Sequence, residues 1–357
     1  MKITAIKTQV VNAEMRNWVF VKVETDEPGL FGWGEATLEW KTRAVVGAIE
    51  DLAPLLLGRD PRDIEQAYRA MTKQSFWRLG AVGMSAVSGI ELALWDILGK
   101  HLGVPVWRLL GGKVRDRVGV YTHLGMGDMR AVYETDSVDP LVERARAVVE
   151  HGYRAFKAVF VPYTHYHAPL LQVDKVARMM EAMRSAVGDE IEIMVDFHGR
   201  PASAGAALAY IEALAPGRPM FVEEPIQPGD FHGLASLARR THVPLATGER
   251  LIDRNEFEAL FATGAIDIVQ PDICRADGGQ EDRGPGRGPG YRRGSAQPAW
   301  PHRGSGGAAF CRFDAQSCHS GGNGRRRALV FRRRTGADPA RRRLLAGAGG
   351  TGPGHRR

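Results

Sequence analysis

Short apolar strands alternate with helical segments after about residue 115, and this alternation limits the possible folds more than any other feature. Strand-like runs are predicted at 118–121, 156–160, 191–195, 220–222, 245–247 and 266–269. Helical spacing of apolar residues separates these runs, as at 141–150, 171–187, 204–214 and 231–238. Apolar strands without a polar face indicate a parallel sheet that is covered on both sides.

The repeat length favours one parallel architecture over another. Five or six strand–helix units with a period of roughly 25 residues predict an α/β fold of the (β/α)₈ barrel type, similar to a TIM barrel but modified. A doubly wound open sheet is the alternative. No GxGxxG motif follows a first strand, so the sequence does not support a dinucleotide site.

The N-terminal part follows a different pattern. Residues 1–40 alternate apolar and polar residues in three runs, with Glu27-Pro28-Gly29 as a turn, whereas 42–110 carry helical spacing. Strands followed by helices predict a separate α+β capping domain, over residues 1–115, with the barrel domain over 116–274. We expect the aromatic pair Phe76 and Trp77 to lie in the core of the capping domain.

The last part of the chain has a foreign composition. Residues 275–357 contain 18 Arg, no Lys and 5 acidic residues, a net charge of +13, whereas the preceding residues contain 30 basic and 36 acidic residues, a net charge of −6. A disordered, arginine-rich, nucleic-acid-binding extension is one interpretation. Arginine without lysine is also typical of a GC-rich gene that is read out of frame. Shifting the frame by one base from Asp282 permits IAALAEARGIAVAPHNPLGPIA, which reads as a helix, a strand and a polar loop.

We therefore predict a frameshift near Cys274–Arg275, with a few residues lost there. The tail over 275–357 would then be an aberrant, disordered product, and the barrel would be incomplete in the chain as written. On this interpretation the protein does not bind nucleic acid.

Membrane and secretion signals are weak in this sequence. No apolar run approaches the length that a membrane span needs, and the N-terminus lacks the apolar block of a signal peptide. The three cysteines all lie at or after Cys274 and do not suggest a disulfide framework. We expect a cytoplasmic protein without a membrane partner.

Acidic residues follow four consecutive predicted strands. These residues are Asp196, Glu223, Glu249 and Asp272, which lie 27, 26 and 23 residues apart along the chain. Since one strand–helix unit returns the chain to the same end of a barrel, we expect them to converge at the carboxyl-terminal rim. Converging carboxylates repel one another unless a cation compensates their charge, and oxygen ligands favour Mg²⁺ or Mn²⁺ over Zn²⁺. A single acid in such a place would more simply cap the next helix.

Several motifs together resemble one family. DFHGR, FVEEP and ATGER, preceded by GWGEA at 32–36 and ELALWDILGKHLGVPVWRLLGG at 91–112, are similar to the mandelate racemase-like branch of the enolase superfamily. The similarity is greatest to the galactonate dehydratases, and it covers the whole part before the predicted frameshift. It implies abstraction of a proton next to a carboxylate, with Mg²⁺ stabilising the anion that forms.

The resemblance also implies roles for the acidic residues. Asp196, Glu223 and Glu249 would be the metal ligands. Glu223 is preferred to Glu224 because the first acid of this motif is the ligand in related sequences, and alternation along a strand points Glu224 elsewhere.

Two further residues are candidates for catalysis. His198 projects to the same side as Asp196, and its counterpart in similar dehydratases is the general acid; a loop histidine without a role is the alternative. Asp272 resembles the acid of an Asp–His dyad that orients the general base, although a helix N-cap is equally consistent with its local sequence. The dyad histidine is absent from the chain as written. In the shifted frame it lies across the codons of Ala296 and Gln297, and His302 is not assigned to this role.

The predicted function is dehydration of a sugar acid to a 2-keto-3-deoxy acid. A racemase or cycloisomerase that uses Lys157 as a base is one alternative, and a non-catalytic barrel is another. Lys157 stands alone, without the KxK doublet of those branches, which favours a role in binding or charge balance. His165 and His167 are either substrate contacts or surface residues.

Two predictions concern what the protein contacts. The segment Asn12–Trp18 resembles the capping-domain loop that closes over substrate, so Arg16, Asn17 and Trp18 are candidate contacts to a small sugar acid. We expect a homo-oligomer when the C-terminal part is intact.

Overall fold

The computed structural model describes residues 1–13, 16–73, 76–113, 116–124 and 137–272. The predictions for 275–357, including the frameshift and the missing dyad histidine, lie outside the described residues.

The chain begins with a three-stranded antiparallel sheet. Its strands are β1 (Ile3–Ala13), β2 (Arg16–Thr25) and β3 (Phe31–Glu35), and they lie in the order β1-β2-β3. The predicted turn is confirmed, since the Leu30 N–H donates to the Glu27 carbonyl at 3.1 Å. The alternation of β2 is confirmed as well, because every second residue from Val19 to Val23 is fully buried.

Helices follow this sheet and cover one of its faces. They are α1 (Thr42–Leu52), a 3₁₀ turn (Ala53–Leu55), α2 (Ile64–Lys73), α3 (Gly80–His101) and α4 (Val106–Leu109). Helix α3 lies against β3, and its Ile90, Leu94 and Ile97 side chains belong to the same apolar core as Val21 of β2. The predicted order of strands followed by helices is therefore confirmed.

Helix α3 is long and apolar enough to cross a membrane, judged by length and composition alone. However, 72% of its most apolar 18-residue window is buried inside the fold. A helix that is apolar on most sides and buried within a larger protein is a core helix.

The second part of the chain alternates strands and helices. Its elements are β4 (Thr122–His123), α5 (Asp139–Glu150), β5 (Ala155–Ala158), α6 (Leu170–Val187), β6 (Glu192–Asp196), α7 (Ala204–Leu214), β7 (Phe221–Glu223), α8 (Phe231–Ala238), β8 (Leu245–Thr247), α9 (Arg254–Ala262) and β9 (Ile268–Val269). The six strands are parallel, and each pairs with the next strand in the sequence. This order is that of a barrel and not of a doubly wound sheet, in which the order reverses. The predicted fold class is confirmed, with six strands of an incomplete barrel among the described residues.

The two faces of the parallel sheet have different partners. On the outer face, Phe156, Val195 and Val222 share an apolar core with helix residues such as Met179 and Ile211. On the inner face a smaller apolar cluster forms, made up of Tyr121, Ala155, Met194, Phe221 and Ala246.

The inner face changes character along the strands. Side chains two residues apart on a strand lie on the same face. The residues two positions after those of the apolar cluster are polar: His123, Lys157, Asp196 and Glu223 follow Tyr121, Ala155, Met194 and Phe221. An apolar layer thus supports a polar layer at the carboxyl ends of the strands, the end at which barrel active sites lie.

Two details differ from the sequence predictions. Phe76 and Trp77 are 90% and 78% exposed, so their assignment to the core was wrong. They lie between α2 and α3 and pack edge-to-face on each other at 5.2 Å. The first barrel strand is at Thr122–His123 and not at 118–121, where Val118 and Val120 are more than half exposed. The domain boundaries remain predictions.

Candidate functional site

Two of the predicted metal ligands lie side by side. Asp196 ends β6, Glu223 ends β7, and the register of the two strands pairs these residues directly. Both residues are only 1% exposed. The two carboxylates therefore lie next to each other on the inner face, as their spacing in the sequence predicts.

Glu249 reaches the same region through a bend after β8. It follows Gly248, whose φ of +136° is rarely adopted by L residues, and a Cβ atom there would lie 3.1 Å from the Gln270 nitrogen. Burial, followed by repulsion from Glu223 and Asp196, raises the pKa of Glu249 to about 7. The carboxylate of Glu249 thus belongs to the same electrostatic cluster as the other two.

Lys157 supplies positive charge to this cluster. Its Nζ atom lies 2.6 Å from Glu223 Oε2 and 3.2 Å from Asp196 Oδ2, and the residue is 6% exposed. Burial alone would lower the pKa of Lys157, but the charges of Glu223, Tyr121 and Asp196 raise it well above the ordinary value. The lysine is therefore an ammonium ion that balances part of the negative charge.

His198 contacts Asp196 through both its backbone and its side chain. Its backbone N–H donates to Asp196 Oδ1 at 2.9 Å, its Nε2 lies 2.9 Å from Asp196 Oδ2, and its φ is +52°. Burial disfavours the imidazolium, but the charge of Asp196 and its hydrogen bond outweigh burial and raise the pKa of His198 to about 9. The imidazole is thus fixed beside the first predicted ligand, and 32% of its side chain is exposed.

The chemistry of these donors fits a divalent cation. Burial and the nearby Asp196 raise the pKa of Glu223 to about 7, which reflects an excess of buried negative charge. Asp196 Oδ2 is buried and lies 3.2 Å from Lys157 Nζ and 2.9 Å from His198 Nε2, so cationic groups already gather at this oxygen. All the carboxylate donors are oxygens, which suits Mg²⁺. Among the described residues, however, no three acidic, histidine or cysteine side chains enclose one point, and the Lys157 ammonium contacts two of the carboxylates.

Glu224 points away from this cluster and binds Arg250. The Arg250 Nε atom lies 3.0 and 2.8 Å from the two Glu224 carboxylate oxygens. Burial, then the charge of Glu249, raises the pKa of Glu224 to about 7 in spite of these bonds. This arrangement favours Glu223, and not Glu224, as the residue on the inner face of the sheet.

Asp272 lies three residues beyond β9 and is 3% exposed. Glu35, at the end of β3, has a raised pKa. Burial is the larger cause, and the negative charge of the nearby Asp272 adds to it. The capping sheet therefore reaches the rim of the barrel near Asp272. The proposed partners of Asp272, a dyad histidine or a capped helix, lie outside the described residues.

The other predicted contacts occupy different places. Arg16 is buried and forms an ion pair with Glu39, while Trp18 packs edge-to-face on Phe20 at 6.1 Å. Asn17 is half-buried. His165 and His167 are exposed on the loop after β5, which is tied to the next loop by a Ser203 Oγ–Tyr166 carbonyl hydrogen bond of 2.8 Å.

Two polar residues of the inner layer were missed from the sequence. His123 pairs in register with Lys157, so both project from the same face. Gln270 is 5% exposed, and its Nε2 donates to Glu223 Oε2 at 2.9 Å. Inner positions recur every second residue, so counting two residues on from Tyr121 and two back from Asp272 would have indicated both.

Two family descriptions match most of the chain. Residues 1–111 match the N-terminal domain of mandelate racemase and muconate lactonizing enzyme, and residues 140–283 match the domain described as enolase C-terminal domain-like.

Individual relatives agree with these matches. The chain is 42% identical over 278 residues to a D-galactonate dehydratase from Verminephrobacter eiseniae, covering 78% of this chain and 69% of that one. It is 40% identical, with the same coverage, to a D-galactonate dehydratase from Ralstonia nicotianae.

Solved structures give the same picture. A member of the enolase superfamily from Salmonella Typhimurium has a TM-score of 0.71 at 29% identity, over 77% of this chain and 74% of that one. An enolase from Pantoea ananatis, solved with bound D-gluconate and Mg, has a TM-score of 0.67 at 30% identity, over 77% and 72%.

Proposed function

Given that this chain belongs to the mandelate racemase and muconate lactonizing enzyme family of the enolase superfamily, we propose that its gene, read in frame, encodes a Mg²⁺-dependent sugar-acid dehydratase. The relatives at 40% and 42% identity are hydro-lyases, and the in-frame protein is an enzyme of that class. The substrate we propose is an aldonate such as galactonate.

One observation carries this proposal. His198 is fixed against Asp196, beside Glu223 and Lys157, at the carboxyl-terminal rim of the parallel sheet. An acid–base group thus stands beside a carboxylate cluster that suits a divalent cation, which is the arrangement that elimination next to a carboxylate needs. The names of the relatives, and the Mg and D-gluconate in the Pantoea protein, support the choice of metal and substrate class.

Asp196, Glu223 and Glu249 would hold the metal. A bound Mg²⁺ would supply the positive charge that makes removal of a proton next to a carboxylate feasible. Lys157, which contacts two of these carboxylates, compensates their remaining charge and favours a negatively charged substrate in this place.

His198 acts on the leaving group. The proton on the carbon next to the substrate carboxylate is removed, and the hydroxyl on the following carbon leaves with a proton from His198 as water. The resulting enol becomes the 2-keto-3-deoxy acid. The base is the histidine that the shifted frame restores, with Asp272 orienting it.

Lys157 is also the residue on which a racemase or cycloisomerase mechanism would depend. Its ammonium is engaged by two carboxylates, so it is poorly placed to accept a proton. The product distinguishes the two functions, because only a dehydratase releases water.

The remaining predictions fit this proposal. The enzyme would act on a small molecule in the cytoplasm, would bind no nucleic acid, and would form a homo-oligomer when its C-terminal part is intact. The chain as written would be poorly soluble and would lack turnover, because an open sheet exposes its edges.

The test begins with the gene. Resequencing from the codon of Ile268 to that of His302 decides whether the frame is broken. The restored protein and the chain as written are then incubated with D-galactonate and D-gluconate, with and without Mg²⁺, and the products are identified by NMR. We expect a 2-keto-3-deoxy acid only from the restored protein with Mg²⁺. Normal turnover by the chain as written, or a product that retains all its oxygen atoms, would contradict the proposal.

A further inference from the structure

Glu224 and Arg250 form an ion pair, and each of them directly follows a predicted metal ligand in the sequence. Glu224 follows Glu223, and Arg250 follows Glu249. Arg250 Nε contacts both Glu224 carboxylate oxygens, at 3.0 and 2.8 Å, and Arg250 Nη2 lies 2.6 Å from Oε2. Because the single Nε donates to both carboxylate oxygens, this forked contact fixes the orientation of the pair as well as its length. The ends of β7 and β8 are thus joined directly behind two of the ligands.

The third ligand strand is fastened to the same pair. Gly199, three residues after Asp196, donates its N–H to the Glu224 carbonyl at 2.8 Å, and its own carbonyl accepts from Gln227 Nε2 at 2.6 Å. A Cβ atom at Gly199 would lie 2.7 Å from Arg250 Nη2. The arginine therefore fills the space that this glycine leaves open.

The backbone around the pair is strained. Glu224 has a φ of +39°, in the left-handed region that residues with a side chain rarely adopt. Its N–H nevertheless donates to the Ala246 carbonyl at 2.9 Å, which ties β7 to β8. Strain that the surrounding contacts maintain is typical of functional sites.

We propose that Glu224 and Arg250 are positioning residues that set the separation of Asp196, Glu223 and Glu249, so that the site prefers Mg²⁺ to larger divalent cations. Mg²⁺ demands a near-octahedral set of oxygens at about 2.0–2.1 Å, whereas Ca²⁺ accepts looser geometry at about 2.3–2.6 Å. Loosening the strand ends should therefore weaken Mg²⁺ binding more than Ca²⁺ binding. This inference rests on the metal site of the proposed function and on no other part of it.

The test measures metal affinity in the full 357-residue chain, which contains all the residues involved. Mn²⁺ binding is followed by electron paramagnetic resonance, and Mg²⁺ and Ca²⁺ are titrated as competitors. The variants are Glu224→Gln and Arg250→Met. Asp60→Asn is the matched control, since it breaks another forked pair, with Arg62 Nε at 2.9 and 3.1 Å from the Asp60 oxygens, in the capping domain.

Removing a residue that orients metal ligands typically weakens the metal about 10- to 100-fold. We expect a loss of this size for Mg²⁺ in both variants and a smaller loss for Ca²⁺, so that the Mg²⁺-to-Ca²⁺ affinity ratio falls about tenfold. The control should keep both affinities. The double variant should resemble the single variants, because all of them break the same pair.

Several results would overturn the inference. Equal loss for both ions would show a merely structural role, and unchanged affinities would show no role. The inference is also overturned if the chain without substitutions binds no Mn²⁺. Glu224→Asp and Arg250→Lys keep the charges but not the fork, and they decide the question by the same ratio where the other variants do not fold. If the ratio changes in the 357-residue chain but the restored protein dehydrates no sugar acid, only the proposed function is overturned.

Discussion

The core of the capping domain and the inner rim of the barrel are both buried, but burial has opposite consequences in the two places. In the capping core, burial of apolar side chains such as Val21, Ile90 and Leu94 stabilises the fold. At the rim, Asp196 and Glu223 are just as inaccessible, and burial there disfavours their charged forms. Substitutions in the capping core should therefore lower mainly the stability of the protein, whereas substitutions at the rim should lower mainly its activity.

The largest effect should follow from Asp196→Asn in the restored protein. This change removes a charge from the proposed metal site and the contact of His198, so kcat/KM should fall at least about 1000-fold, or about 4 kcal/mol. The thermal midpoint should fall much less in proportion, because Lys157 keeps its ion pair with Glu223 when its contact and that of His198 with Asp196 are lost. Steady-state kinetics and thermal unfolding give the two values.

Removal of Mg²⁺ by a chelator should reproduce this loss of kcat/KM in the restored protein without substitutions, and added Mg²⁺ should reverse it. Asp189→Asn, at an exposed ion pair with Arg218, is the control and should leave kcat/KM unchanged. An active Asp196→Asn variant would remove the functional difference between the two regions.

A core substitution in the capping domain should show the reverse pattern. Ile90 is fully buried on α3, and Ile90→Ala should lower the free energy of unfolding by about 2–5 kcal/mol through lost transfer free energy and a cavity. Urea denaturation measures this loss. Leu102→Ala, at the exposed end of the same helix, is the control. Metal affinity of the folded fraction should not change, and a change there would show that the two regions are coupled.

Asp253→Ala tests the helix that follows β8 in the barrel domain. Asp253 caps α9, where its Oδ1 accepts from the Glu256 N–H at 3.0 Å and Glu256 returns a bond to the Asp253 N–H. Loss of this capping box should cost about 1 kcal/mol, measured by urea denaturation. Glu258→Ala, which breaks only an exposed pair with Arg254 on the same helix, should cost less than about 0.5 kcal/mol. Equal effects of the two changes would refute the capping role.

The smallest effect should come from Trp77→Ala in the capping domain. Because Trp77 is 78% exposed, the free energy of unfolding should change by less than about 0.5 kcal/mol. Trp95→Ala is the matched comparison: Trp95 is 9% exposed and donates from Nε1 to Glu91 at 3.2 Å, so about 3–5 kcal/mol should be lost. Thermal or urea unfolding of both variants measures the difference. A large loss of unfolding free energy in Trp77→Ala would show that Trp77 contributes to a hydrophobic core.

Much of the fold could be predicted because local signals agree with the tertiary structure. Helices Ala204–Leu214 and Phe231–Ala238 have the predicted bounds, since apolar spacing begins directly after the capping residues Ser203 and Asp230. The strand at 118–121 was placed too early because the apolar alternation there pairs with no other strand among the described residues, and pairing, not composition, defines a strand.

The site was predictable to the extent that one strand–helix period returns residues to the same rim. Asp196 and Glu223 meet for that reason. The binding of Arg250 to Glu224 was not predictable, because it depends on a left-handed residue directly after one strand and on the space beside a glycine after another. Such contacts depend on three-dimensional register, which spacing along the chain does not report.

The layering of the inner face has a consequence for how such a barrel diversifies. Met194 and Phe221 fill the lower level, while Lys157, Asp196 and Glu223 fill the level above. Because the two levels alternate with outward-facing residues along each strand, the upper positions can be exchanged during gene duplication and drift without disturbing the apolar support. New substrates and new reactions can then arise on an inherited frame by replacing a single ring of side chains.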